Sequence, residues 1–329
     1  MAARVTVVGS YPKPPHEGEE FTLRRTLHAL DRGDASVVDV RAAQDDLVRE
    51  VIEEQARAGI ELVTDGQVRW DDAQTRFAEG LEGFGTTGLL RYFDTNTYFR
   101  QPVVKAEVAR RGRIVLDEFL FARDHSPVPV KQALIGPYTL AALSVDEHYG
   151  HLRRLVEDLA AALNEEAREL AEAGCEVIAF DEPALARIPG SRPGDLAVLG
   201  DVADRLTAGV GATTVLQTFF GDVAEHGPAF FDLPFDAFGL DLVAGPGNLE
   251  AVHEFPADRI LQAGIVDSRN TRLEDPDDLA RRIEGLAATV DPERLWLSPS
   301  AGLEYLPREA AQRKCALLAE AARRFRGDR

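Results

Sequence analysis

The stretch Ala173-Gly174-Cys175-Glu176-Val177-Ile178-Ala179-Phe180-Asp181-Glu182-Pro183 decides the fold. A glycine closes a long helical pattern, four apolar residues form a short buried run, and the run stops on two carboxylates and a proline. That is the signature of a helix, a buried parallel strand and a strand end where chemistry is placed. The same order recurs. Arg4–Val8 precedes Gly9-Ser10, Ile60–Val63 precedes Asp65-Gly66, and Val130–Ile135 precedes Gly136-Pro137. Thr213–Leu216 runs to Thr218, Ala237–Leu240 to Asp241, Ile260–Val266 to Asp267, and Leu295–Leu297 to Ser298-Pro299. Eight strand-then-helix units predict an α/β fold, a single (β/α)8 TIM barrel, with its site at the C-terminal strand ends.

A length of 329 residues suits one elaborated barrel, and 45% hydrophobic residues fill its core. One domain over residues 1–329 is expected. The strongest helices are expected at Val38–Ala58, Leu152–Ala173, Pro276–Ala288 and Pro307–Phe325, with shorter ones at Phe21–Leu30 and near Asp195–Ala208. Lys13–Glu20 and Pro189–Pro193 read as loops. Alternation from Tyr92 to Leu116, with Arg111-Gly112 as a turn signal, predicts a β-hairpin inserted at about residues 89–121.

The formal net charge of −19 sets the chain against phosphate backbones, so nucleic acid is not an expected partner. No apolar stretch reaches the length of a membrane span, the chain enters its first strand without a leader, and the only cysteines are Cys175 and Cys315. A cytoplasmic protein without membrane contact is expected.

The strand ends supply the candidate site. Asp181 and Glu182 are the catalytic candidates, able to bind an amine or N–H edge, hold a metal or move protons, or else to cap a helix or pair with Arg187. Gly9 and Ser10 allow close backbone approach and hydrogen bonding to a carboxylate. Asp65, Gln67 and Trp70 follow the second strand, Gln217 the fifth, Asp241 the sixth and Asp267 the seventh, all as substrate-binding candidates. No metal site is expected. None of the seven histidines falls at a strand end, Cys175 precedes its strand, and Cys315 lies in the last helix. No glycine-rich phosphate loop supports a nucleotide cofactor.

The chain resembles the cobalamin-independent methionine synthase family, whose usual members carry two tandem barrels. The anchors are Val-Val-Gly-Ser-Tyr-Pro (7–12), Ala-Gly-Ile-Glu-Leu-Val-Thr-Asp-Gly (58–66), Phe-Asp-Thr-Asn-Thr-Tyr (93–98), Leu-Ile-Gly-Pro-Tyr-Thr (134–139), Phe-Asp-Glu-Pro-Ala-Leu (180–185), Thr-Phe-Phe-Gly-Asp (218–222), Ala-Gly-Ile-Val-Asp-Ser-Arg-Asn (263–270) and Leu-Trp-Leu-Ser-Pro-Ser (295–300). The hairpin motif and the two motifs at 218–222 and 263–270 look like the family's N-terminal, zinc-free barrel.

The resemblance implies methyl transfer from a methyl-folate or related donor to homocysteine. It places Gly9-Ser10 at the amino-acid-binding turn, Asp181 at the pterin-binding acid, and Arg24 and Arg91 on the folate tail. The family's zinc ligands fall on Gln217, Phe219, Asp241 and Ala301, so no cofactor is implied for this chain, and zinc only where a partner barrel supplies it. The implied partner is a zinc-bearing barrel on a second chain. The alternative is a metal-free enzyme like the related uroporphyrinogen decarboxylases, gathering an anionic small molecule with Arg24, Arg69, Arg91 and Arg269, or a non-catalytic ligand-binding barrel.

Overall fold

Parallel strands that are buried on both faces carry near-continuous apolar runs, and their pairing follows the order in which those runs occur. In the computed structural model, which describes residues 3–188 and 193–327, seven strands pair in parallel. They are β1 (Arg4–Val5), β4 (Gln132–Ile135), β6 (Val177–Asp181), β7 (Thr213–Gln217), β8 (Ala237–Asp241), β9 (Ile260–Val266) and β10 (Leu295–Pro299). Their order is β1-β10-β9-β8-β7-β6-β4. Two parallel bridges, Thr6 to Leu62 and Val63 to Val130, join the ends through the expected second strand and close the ring. The barrel is therefore the expected one. The first two strands are shorter than their apolar runs, because pairing goes no further than Thr6 in the first and holds only at Leu62 and Val63 in the second.

Helices cover the ring. They are α1 (Thr22–Asp31), α2 (Val37–Arg57), α3 (Ala73–Gly80), α4 (Leu116–His125), α5 (Pro137–Leu143), α6 (Leu152–Glu172), α7 (Leu196–Thr207), α8 (Gly247–Val252), α9 (Pro276–Ala287) and α10 (Arg308–Arg326). Helix α2 starts where Ser36 and Asp39 cap each other's backbone amides, at 3.3 and 2.7 Å. Helix α6 buries Leu155, Leu159, Leu163, Ala167 and Leu170 on one face, the helical spacing that packs it on the ring. Residues 189–192 of the expected Pro189–Pro193 loop lie outside the described residues.

The insertion differs from its expected place. The hairpin is β2 (Phe84–Arg91) and β3 (Tyr98–Val104), turning at residues 92–97, and β3 also pairs with the short β5 (Val145–Asp146). The Tyr92–Thr97 motif is thus the hairpin's tip. Residues from Leu116 onward are helical, and Arg111-Gly112 turns the chain away after the hairpin. The second half of the expected alternation is apolar because it buries Val108, Ile114 and Val115 in the main core.

Candidate active site

A cavity of about 270 Å³ opens at the C-terminal end of the ring. Of the expected residues it brings together Gly9, Ser10, Gln67, Trp70 and Asp181. Gln67 adopts a left-handed backbone (φ 54°), rare outside glycine, and its side-chain amide packs on Gly9, where a Cβ would lie 2.7 Å from Gln67 Nε2. Glycine at position 9 is what admits that amide. Trp70 is buried, its indole N–H donating to Glu118 Oε2 at 2.6 Å, so only part of the ring meets the cavity. The backbone of Ser10 accepts the Leu303 amide at 2.9 Å, tying the first strand end to the last.

Asp181 ends β6 on the inward face. Burial pushes its carboxyl up to about 8, opposed by the Lys131 charge and reinforced by Glu182, and its Oδ1 has no hydrogen-bond partner. A carboxyl so placed keeps its bonding capacity for a ligand.

The other candidates point elsewhere. Glu182, one residue on, alternates to the outside of the ring, and its carboxylate accepts the Tyr138 and Thr139 amides at 2.9 and 2.6 Å at the start of α5. Burial pushes it up to about 7. It is a helix cap, which corrects its place beside Asp181 in the mouth. Asp241 accepts amides of Phe220, Val243 and Ala244 at 3.0, 2.9 and 2.7 Å and shapes two loops. Gln217 lies in the ring interior, its Oε1 accepting from Gln262 at 2.5 Å. Asp65 is buried below Gln67, whose amide it accepts at 2.9 Å. Asp267 lines a separate surface cleft with Asn270, Arg272 and Glu274. None of these four lines the cavity.

The arginines do not converge on the cavity either. Arg69 pairs with Asp45 and stacks on Phe121, its guanidinium carbon 4.7 Å from the ring centroid. Arg91 donates to the Thr95 and Asp94 carbonyls of its own turn. Arg24 lies on α1 in a shallow basic patch with Arg25, His28 and Arg32. Arg269 pairs with Asp94 at 3.1 Å and covers Phe220 at 5.1 Å. The anion-gathering cluster of the alternative reading is not assembled.

Several residues that line the cavity were not expected there: Glu304 and Tyr305 after the last strand, Gln74, and Tyr92, Tyr98 and Phe99, which were expected only as part of the hairpin. Lys13 was legible only as part of a mouth loop. It donates to the Trp70 carbonyl, and burial lowers its affinity for a proton against the pull of Glu304 and Asp71. Desolvation by the cavity wall raises Glu304, whose side chain still meets solvent, while hydrogen bonds from Tyr305 and Ser10 and the Lys13 charge lower it. The hairpin tip forms the roof. Phe220 packs edge-on against Tyr92, Phe93 and Tyr305, with centroids 6.0, 6.2 and 5.6 Å away. Both Phe93 and Phe220 hold left-handed backbones, the strain expected where a loop is shaped for a ligand.

The donor set does not fit zinc. Phe219 and Ala301 offer carbon, the Gln217 amide is engaged with Gln262, and Asp241 is taken up by three backbone amides. Among the described residues no group of three or more His, Cys, Asp or Glu is placed to hold a metal ion. Burial pushes the thiols of Cys175 and Cys315 up to about 12, away from the thiolate that zinc requires.

A family model described as the N-terminal domain of cobalamin-independent synthase matches residues 71–291. A methionine synthase of Saccharolobus solfataricus is 33% identical over 317 residues, covering 96% of this chain and 92% of the relative. One of Sulfurisphaera tokodaii is 33% identical over 311 residues, covering 94% and 88%. A B12-independent methionine synthase from Shewanella sp. W3-18-1, solved in complex with selenomethionine, has the same fold, with a TM-score of 0.81 at 22% identity over 100% of this chain and 99% of that one. A putative B12-independent methionine synthase from Listeria monocytogenes gives 0.78 at 18% identity over 99% of each chain. The chain belongs to the cobalamin-independent methionine synthase family, methyltransferases of methionine biosynthesis built on a (β/α)8 barrel.

Proposed function

We propose that this barrel binds homocysteine at its mouth and takes part in methyl transfer to it from a methyl-folate or related donor, together with a separate zinc-bearing barrel. The observation that carries the reading is the charge pattern of one cavity. Lys13 offers a cation for a carboxylate, beside the Gly9-Ser10 turn and the Glu304 that Ser10 hydrogen-bonds, and the unpartnered Asp181 offers a site for an ammonium. A zwitterionic amino acid is complementary to that arrangement, beneath the aromatic side chains of the hairpin.

Methyl transfer forms a sulfur–carbon bond as the donor's bond to the methyl carbon breaks. The sulfur must arrive as thiolate, and a free thiol with a pKa of roughly 8.5 supplies little at neutral pH. Among the described residues neither a histidine nor a cysteine lines the cavity, so in this reading sulfur activation falls to the second barrel. Leu89, Leu90 and Tyr98 stand exposed on the hairpin beside the mouth, an apolar rim suited to that partner. The acidic surface and, among the described residues, the lack of a helix long and apolar enough to cross a membrane support a cytoplasmic setting.

The test is a methionine-formation assay with elemental analysis. The lone chain is expected to hold no stoichiometric zinc and to turn over negligibly, with activity restored by a zinc-bearing barrel from the same cells. Turnover by the lone chain with one equivalent of zinc would sink the two-chain reading. Failure of homocysteine to bind the lone chain would sink the assignment of the cavity.

A further inference from the structure

Helix α3 packs through Gln74, Phe77 and Ala78, which share one face at the spacing of three and four that makes a helical stripe. Phe77 and Ala78 are what a buried stripe calls for. Gln74 is an amide in the same row, and it is 1% exposed. Its Nε2 is buried without a hydrogen-bond partner, and the residue lines the cavity at the mouth of the ring. The Tyr92 hydroxyl lies beside the amide and does not satisfy it. A buried N–H donor left open is costly, so this one marks a place for an acceptor.

Two neighbours give that place a positive sign. Lys13 Nζ donates to the carbonyl of Trp70, four residues before Gln74, and its ammonium has further N–H bonds to give. Helix α3 starts at Ala73, which also lines the cavity. The Asp72 carboxylate accepts the Thr75 amide at 2.6 Å and the Thr75 hydroxyl at 2.7 Å, whereas the amides of Ala73 and Gln74 have no acceptor within the helix. The nearby acids do not cancel this. Asp72 is held by Thr75 and, at 3.4 Å, by the Arg100 amide, and Asp71 is exposed.

We propose that Gln74 is the residue that recognises the ligand's carboxylate. Its side-chain amide donates to a carboxylate oxygen at the start of α3, Lys13 supplies the opposite charge, and Asp181 is left for the ammonium of the same molecule. Gln74 thereby sets specificity for a free α-amino acid over an amine that lacks the carboxylate. The inference rests on the cavity being an amino-acid site.

Nuclear magnetic resonance of the 15N-labelled chain reads the amide directly. The Gln74 side-chain NH2 pair is identified by its loss in Gln74→Glu, which keeps the shape of the side chain. The pair should shift on adding L-homocysteine or 4-sulfanylbutanoate, which has the carboxylate and no ammonium. It should stay in place with 3-aminopropane-1-thiol, which has the ammonium and no carboxylate. Calorimetry reads the affinities. Gln74→Leu should weaken L-homocysteine about tenfold and 3-aminopropane-1-thiol less than about twofold. Gln74→Glu should weaken L-homocysteine about a hundredfold, because a second carboxylate meets the first. Equal weakening of both ligands by Gln74→Leu, or tighter homocysteine binding by Gln74→Glu, overturns the proposal. So does an NH2 pair that 4-sulfanylbutanoate leaves unmoved while homocysteine binds. Should Gln74→Leu fail to fold, Gln74→Glu and the spectra decide. If L-homocysteine does not bind the native chain, the substrate reading fails. A pair that still shifts with 4-sulfanylbutanoate then leaves the carboxylate subsite standing, and a pair that moves with neither removes both.

Discussion

Arg110 binds Glu166 through two nitrogens, Nε at 2.8 Å and Nη2 at 2.5 Å, in a pair closed off from solvent. Glu166 also accepts the amides of Ile114, Val115 and Leu116 at 3.0, 2.7 and 3.0 Å. One carboxylate of α6 thereby caps α4 and fastens the chain returning from the hairpin. Glu166→Ala leaves three amides and the Nε of Arg110 unpaired, while Arg110 keeps its two bonds to Glu169 at 2.8 and 2.9 Å, and a loss of about 2–4 kcal/mol in unfolding free energy is expected, with Glu166→Gln losing less. Denaturant titration measures it, and a loss below about 1 kcal/mol would contradict the capping role.

Gly136 owes its place to proximity. Its φ of −75° suits any residue, but a Cβ there would sit 2.1 Å from the Cδ of Glu182. Gly136→Ala should displace Glu182 from the start of α5 and cost about 1–3 kcal/mol, measured by thermal or denaturant unfolding. An unchanged midpoint would show that Glu182 has room to move.

Stability should carry the mark of Asp181. Its folded carboxyl binds a proton more tightly than in the unfolded chain, being raised to about 8. The folded state therefore holds the extra proton between about pH 4 and 8, and the contribution of Asp181 to stability is full below that window and declines as pH rises through it. The unfolding free energy of Asp181→Asn minus that of the native chain should increase from pH 5 to pH 7. A flat difference would mean that Asp181 ionises normally.

Glu304→Gln keeps the shape of the cavity wall and removes a charge that faces the ligand. Homocysteine affinity should fall about tenfold with the unfolding midpoint nearly unchanged. Loss of stability with unchanged affinity would make Glu304 a partner of Lys13 alone.

The ring was legible because each strand is a buried apolar run ended by a small or acidic residue, and Val177–Asp181 shows why. The same period of two that builds the strand also sends Asp181 inward and Glu182 outward. That parity was available in the sequence, and it separates the ligand-facing acid from the helix cap. Asp241 and Asp267 were harder. Their carboxylates turn back onto backbone amides of their own loops, at 2.7 Å to Ala244 and 2.8 Å to Arg269, and no strand period governs that choice. Glu304 and Tyr305 sit on a one-turn helix after β10, where no apolar pattern points to the cavity. The hairpin was misplaced because Phe84–Arg91 holds two glycines and two threonines in place of a strong apolar alternation.

The hairpin pairs with itself and with β5, and takes no part in closing the ring. Its tip nevertheless supplies Tyr92, Tyr98 and Phe99 to the cavity. Part of the cavity wall and the closure of the ring are thus written in separate stretches of the chain. Substitutions at the tip can therefore reshape the cavity wall while strand pairing in the ring is untouched, so this segment behaves as an exchangeable cassette on a fixed scaffold.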